Sequence, residues 1–140
     1  MGSWTVNEGI TDPSAFFAAL SALLPEATHL EIEGERLAPD VRALYAAHDD
    51  GSQVRSPRQM LSWARSYRCQ LSTGLLSELA RLSCHRAPEA VAQHLAVFEG
   101  ERQLLFWHDA FANAFVVGPE VAEERVAAFA AQFGVTYDRP

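Results

Sequence analysis

A chain of 140 residues with 18 acidic and 11 basic side chains, 49% of it hydrophobic, suffices for one self-supporting core and is short for two. Its longest apolar runs, Ala15–Leu20 and Val126–Ala131, fall far short of the ~20 residues that cross a bilayer, so no membrane partner is expected. The start lacks a basic-then-apolar leader, and the two cysteines, Cys69 and Cys84, do not form a Cys-x-x-Cys pair, which together suit an acidic cytoplasmic protein with reduced thiols.

Residues 1–11 show no periodic pattern and read as a segment free to be flexible. Asp12-Pro13 supplies a cap and a first-turn proline for a helix whose stripe is Phe16, Leu20, Leu23 and Leu24, up to Pro25. His29–Glu33 alternates as a strand, with Leu30 and Ile32 inward. Pro39-Asp40 opens a second helix to about His48, with Val41, Leu44, Tyr45 and His48 on one face, and Asp49-Asp50-Gly51 ends it. Tyr67–Leu71 is a further strand. Ser72 caps a third helix carrying Leu75, Leu76, Leu79 and Leu82 to about His85. Gln93–Glu99, Arg102–His108 and Ala114–Val117 form a meander.

Gly118-Pro119 opens the last helix, whose inner face is Ala122, Val126, Phe129, Ala130 and Phe133, and Gly134 stops it. Val135–Tyr137 adds an edge strand. Leu104-Leu105-Phe106-Trp107 is apolar at every position, which predicts a strand covered on both faces by helices or by a second copy of the chain. The expected architecture is therefore a single α+β domain over 1–140: a mixed sheet with an antiparallel meander at about 93–118, packed by about four helices.

Charge is unevenly spread. Residues 1–50 carry 9 acids and 2 arginines, 51–88 carry 1 acid and 6 arginines, and 89–140 carry 8 acids and 3 arginines. Every basic residue is Arg, and 23 alanines accompany them, a composition that suits a high-GC bacterial genome. The basic and aromatic stretch Arg55, Arg58, Trp63, Arg65 and Arg68 has the composition of a phosphate-contacting patch. A pI near 5.1 argues against nucleic acid and for pairing of these arginines with Glu31, Glu33 and Glu35.

The histidines are the other chemistry-bearing residues. His94 and His108 flank the Glu99-Gly100-Glu101-Arg102 turn and, with Asp109, offer an acid–base or metal-ligand set. A two-residue turn at Gly100-Glu101 pairs Glu99 with Arg102, Leu95 with Phe106 and His94 with Trp107. That register sends His94 and His108 to opposite faces, and a three-residue loop would be needed to unite them. Adjacent His108 and Asp109 should point apart, and Asp109 and Asn113 should bond to the backbone of their own loop. His48 and His85 read as helix-end residues. Familiar catalytic and phosphate-binding motifs are absent from the sequence, and no cofactor is expected.

The stretch PEAVAQHLAVFEGERQLLFWHDAFANAFVV (Pro88–Val117) resembles a group of small bacterial α+β proteins without an established activity. So do EGERLAPDVRAL (Glu33–Leu44), EERVAAFAAQFGVTY (Glu123–Tyr137) and the segment Leu24–Glu35, together about half of the chain. The resemblance implies no catalytic residue or ligand, and the Arg-rich 55–68 segment lies outside it. Two readings of function follow. One is a non-catalytic protein-binding module, immunity- or inhibitor-like, in which Glu31, Glu33, Glu35, Asp49 and Asp50 steer a cationic partner. The alternative is a small enzyme or metal-binding protein using His108, Asp109 and His94. A homodimer through an apolar sheet face is compatible with both.

Overall fold

The computed structural model describes residues 2–52 and 65–140, with Arg65 described through its backbone. In chain order these form β1 (Trp4–Val6), α1 (Pro13–Leu23), β2 (His29–Gly34), α2 (Pro39–His48), β3 (Arg65–Gln70) and α3 (Thr73–Ser83). After a short 3-10 turn at Pro88–Ala90 come β4 (His94–Glu99), β5 (Arg102–Trp107), β6 (Phe115–Val117), α4 (Glu123–Phe133) and β7 (Tyr137–Asp138). The fold is α+β, with four α-helices among the described residues and one seven-stranded sheet ordered β3-β2-β4-β5-β6-β1-β7.

Local chemistry places the helix ends. The Asp12 carboxylate accepts the Ala15 N–H at 3.3 Å, and the Ser72 hydroxyl accepts the Leu75 N–H at 3.0 Å, each satisfying a first-turn donor. Gly134 takes φ +66° to end α4. The start of α4 differs from expectation: Gly118–Ala122 forms a turn in which Val121 N–H donates to the Gly118 carbonyl, and the helix begins only at Glu123. Ala122 is therefore the N-cap and exposed, while Val126, Phe129 and Ala130 are buried as expected.

Three further expectations are corrected. The N-terminal segment read as free to be flexible contains β1, which lies between β6 and β7 and buries Val6 completely. The sheet is antiparallel in every pairing rather than mixed. The physical reason is insertion: each crossover joins two strands that run in the same direction, and another strand always lies between them, the β4-β5-β6 meander between β1 and β2, β2 between β3 and β4, and β1 between β6 and β7. Finally, the helices of this chain cover only one face of β5, so they do not supply the cover expected on both. Leu105 and Trp107 are buried, whereas Phe106 is 39% exposed.

One sheet face carries Val6, Leu30, Ile32, Cys69, Leu95, Val97, Leu105, Trp107, Phe115 and Val117, which join the buried residues of all four helices in a single core. Its centre is aromatic. Phe16 of α1 has ring centroids of Trp107, Phe111, Phe115 and Phe129 within 5.1–6.2 Å, and Trp107 donates its indole N–H to the Asn113 carbonyl at 2.9 Å. No helix among the described residues is long and apolar enough to cross a membrane.

Candidate functional site

The face of the sheet turned away from the helices holds most of the residues that carry chemistry. Pairing across the strands sets one row: Arg68 opposite Glu31, Glu31 opposite Ala96, Ala96 opposite Phe106, Phe106 opposite Val116, and Val116 opposite Thr5. Phe106 and Val116, at 39% and 42% exposure, are the exposed large hydrophobic residues of the described chain, and the register makes them cross-strand neighbours. The small Ala96 is buried between its larger neighbours.

A β-bulge decides this face. The turn holds two residues, with Gly100 at φ +61° and Glu99 opposite Arg102, as the hairpin arithmetic requires. Phe98 then faces Gln103, but Val97 faces Leu105, so Leu104 is an extra residue on β5. Leu104 is fully buried. Beyond the bulge every pairing slips by one, Leu95 meets Trp107 rather than Phe106, and the apolar alternation resumes on the other parity. The unbroken run Leu104–Trp107 thus contains a bulge, which accounts for its lack of alternation without helices on both sides.

The same slip overturns the expected separation of the histidines. One step past the Leu95–Trp107 pair, His94 and His108 stack face to face, with centroids 4.3 Å apart and planes within 5°. No three-residue loop is needed, because the bulge supplies the odd residue. Asp109 takes φ +50°, a conformation that leaves the strand and turns its carboxylate back. Its Oδ2 lies 3.6 Å from His108 Nε2 and its Oδ1 3.8 Å from His94 Nδ1, so these neighbours do not point apart as a regular strand would have them. The Asp109 N–H donates to His94 Nδ1 at 3.0 Å. The Asn113 amide donates to the His108 carbonyl at 3.4 Å, a side-chain-to-backbone bond of the expected kind, whereas the Asp109 carboxylate faces the histidines and the loop closes instead through its main-chain carbonyl, which accepts from the Ala112 and Asn113 N–H groups.

At the opposite end of the face lies a second polar group that the sequence reading passed over. His29 Nε2 donates to the Asp50 carboxylate at 2.8 Å, and its Nδ1 is in hydrogen-bond contact with the Thr28 hydroxyl at 2.9 Å. Thr28 Oγ1 in turn accepts the Gly100 N–H at 2.8 Å. The Ser52 hydroxyl and N–H both donate to Asp50 and, with His29, hold its carboxyl down to about 2. These contacts tie β2, the end of α2 and the hairpin turn together. Only the recurrence of polar residues at strand ends could have pointed to them.

The acidic residues fall into two sets. Glu31 is half-buried; burial outweighs the Arg68 guanidinium 3.8 Å away and raises its carboxyl above the usual range. Asp49 accepts from the Gly51 N–H at 3.0 Å, and Asp50 is held as above, so both organise the chain after α2. Glu33 shares the uncovered face beside His94, and Glu35 is exposed beyond the strand. Of the basic stretch, Arg55, Arg58, Trp63 and the Arg65 side chain lie outside the described residues. Arg68 is paired internally, donating to the Gly100 carbonyl at 2.6 Å and lying 4.9 Å over the Phe98 ring. His48 donates to the Leu44 carbonyl at 3.0 Å, a helix-end contact as expected.

Among the described residues, His94, His108 and Asp109 form the set whose donor atoms approach closely enough to share a metal ion. Two shallow grooves lie among the described residues, one between α1 and α4 lined by Ala19, Leu23, Ala128 and Phe129, the other beside the start of α3 lined by Leu20, Leu24, Leu71 and Leu76. Set against protein-family models, curated proteins and solved structures, the chain gives no match, so its functional reading rests on these residues alone.

Proposed function

We propose that this chain is a protein-binding module that docks a cationic protein on the uncovered face of its sheet. The observation that carries the reading is the exposed Phe106–Val116 pair at the centre of a face whose periphery is polar and charged. An apolar centre with a polar rim is the usual anatomy of a protein interface. The acids Glu33, Glu35, Asp49 and Asp50, in a chain of net charge −7, favour a positively charged partner and an association rate that falls with salt. Arg68 neutralises Glu31, which supports the face rather than steering a ligand.

The test is comparative capture from a bacterial lysate at low and high salt, using wild type, a Phe106→Arg/Val116→Arg double variant, and a Glu33→Lys/Glu35→Lys variant. The expected result is one protein retained at low salt by wild type, released at high salt, and lost from the double variant. Retention indifferent to both variants would overturn the proposal. Light scattering at micromolar concentration distinguishes the other occupant of the same face. A mass twice the 15.4 kDa chain that reverts in the double variant would assign the face to a second copy.

A further inference from the structure

The geometry points to a site for a divalent first-row transition ion formed by His94, His108 and Asp109, independent of whatever docks on the centre of the face. One donor atom from each residue lies within 4.8 Å of the other two. An ion at ~2.0–2.2 Å from each nitrogen and oxygen holds its donors roughly 3.0–3.5 Å apart. His108 Nε2 lies 3.6 Å from Asp109 Oδ2 and His94 Nδ1 lies 3.8 Å from the other oxygen, Oδ1, so a modest rotation of the carboxylate brings one oxygen, or both as a bidentate pair, to that spacing from the two nitrogens.

The remaining adjustment falls on groups able to make it. The His108 side chain is 65% exposed and Asp109 50%, while His94 is 20% exposed and set by β4. Two contacts must be given up. An ion lies in the plane of each imidazole it binds, so the parallel rings must tilt apart, which the exposed His108 can do about its own side-chain bonds. Ligation by His94 Nδ1 also takes the lone pair that now accepts the Asp109 N–H, and at this exposed turn water can replace that acceptor. Both changes draw on the binding energy, so the affinity belongs in the micromolar range, not that of a preformed structural zinc site.

The donor set selects the ion. Two imidazole nitrogens and one carboxylate oxygen suit zinc, nickel, cobalt or copper, whereas magnesium and calcium prefer all-oxygen shells. Three protein donors leave further coordination positions to solvent. The Asn113 amide, 3.5 Å from Asp109 Oδ2, stands where a supporting hydrogen bond to the ligating carboxylate would be made.

The experiment is isothermal titration of the full chain with zinc chloride, and separately with magnesium chloride, in a non-chelating buffer. Cobalt(II) is followed by visible absorption as a second readout. One zinc per chain is expected, no magnesium binding, and cobalt bands of a nitrogen–oxygen shell. His108→Ala, a change at an exposed position, should weaken zinc by about tenfold or more, as should Asp109→Asn. Cys84→Ser and His29→Ala should leave binding unchanged, since Cys84 and His29 are the competing exposed thiol and the other carboxylate-paired imidazole. Absence of heat at 100 µM zinc, or binding kept in His108→Ala and lost in Cys84→Ser, would overturn the assignment.

Discussion

Replacing Trp107 and Phe106 separately by alanine tests the bulge on which the uncovered face depends. In the observed register Trp107 is 1% exposed, its ring lies within 5.1 Å of three phenylalanine rings, and its indole N–H is bonded to Asn113. Truncating such a side chain costs about 3–5 kcal/mol, cavity included. Phe106, at 39% exposure on the other parity, loses about 1–2 kcal/mol at ~25 cal/mol per Å² of area removed from water. At roughly 3 °C per kcal/mol for a chain of this size, Trp107→Ala should melt ~9–15 °C lower and Phe106→Ala only ~3–6 °C lower. Urea titrations followed by far-UV circular dichroism give the free energies directly. An unbulged hairpin would reverse the order, because Phe106 would then face the core with Leu95 and Trp107 the uncovered side with His94. Equal or reversed costs would therefore refute the register, and so would the absence of a ring-to-ring nuclear Overhauser effect between His94 and His108.

Other consequences follow from single contacts. Tyr45 is fully buried and donates to the Val91 carbonyl at 2.8 Å, so Tyr45→Phe should cost ~1–2 kcal/mol by leaving that acceptor unpaired, and a neutral result in urea titration would contradict the bond. Iodoacetamide at pH 8 should add one group per native chain, at exposed Cys84, and a second only in denaturant, because burial and the charges of Asp49 and Asp50 push the Cys69 thiol up to about 12. Equal labelling rates by mass spectrometry would count against the buried placement. Asp50 contributes to pH dependence with a definite sign. Its carboxyl is lowered by Ser52 and His29 to about 2, so its stabilisation is present above the ordinary carboxylate value of ~3.9 and is lost as pH falls toward 2. Thermal melts of Asp50→Asn between pH 5 and pH 2 should fall less steeply than those of wild type, and parallel curves would remove the assignment.

The amino-acid sequence by itself determined the local elements. Caps at Asp12 and Ser72, the Pro39 start, the Gly134 stop and the alternation of His29–Glu33 are short-range facts: each depends on hydrogen bonds or steric limits within a few residues, so each can be read along the chain. The two-residue turn at Gly100-Glu101 was legible for the same reason. What only the tertiary structure decided was pairing beyond the turn. A bulge leaves no mark on composition, since Leu104 extends an apolar run as readily as any paired residue, yet one inserted residue inverts the parity of everything after it. It buries Trp107, exposes Phe106 and stacks His94 on His108. Strand β1 escaped notice likewise, because three residues carry no usable period and acquire strand character only from Phe115–Val117 and Tyr137–Asp138 on either side. The fold class was written in local periodicity. The face, and with it the candidate site, depended on where distant strands met.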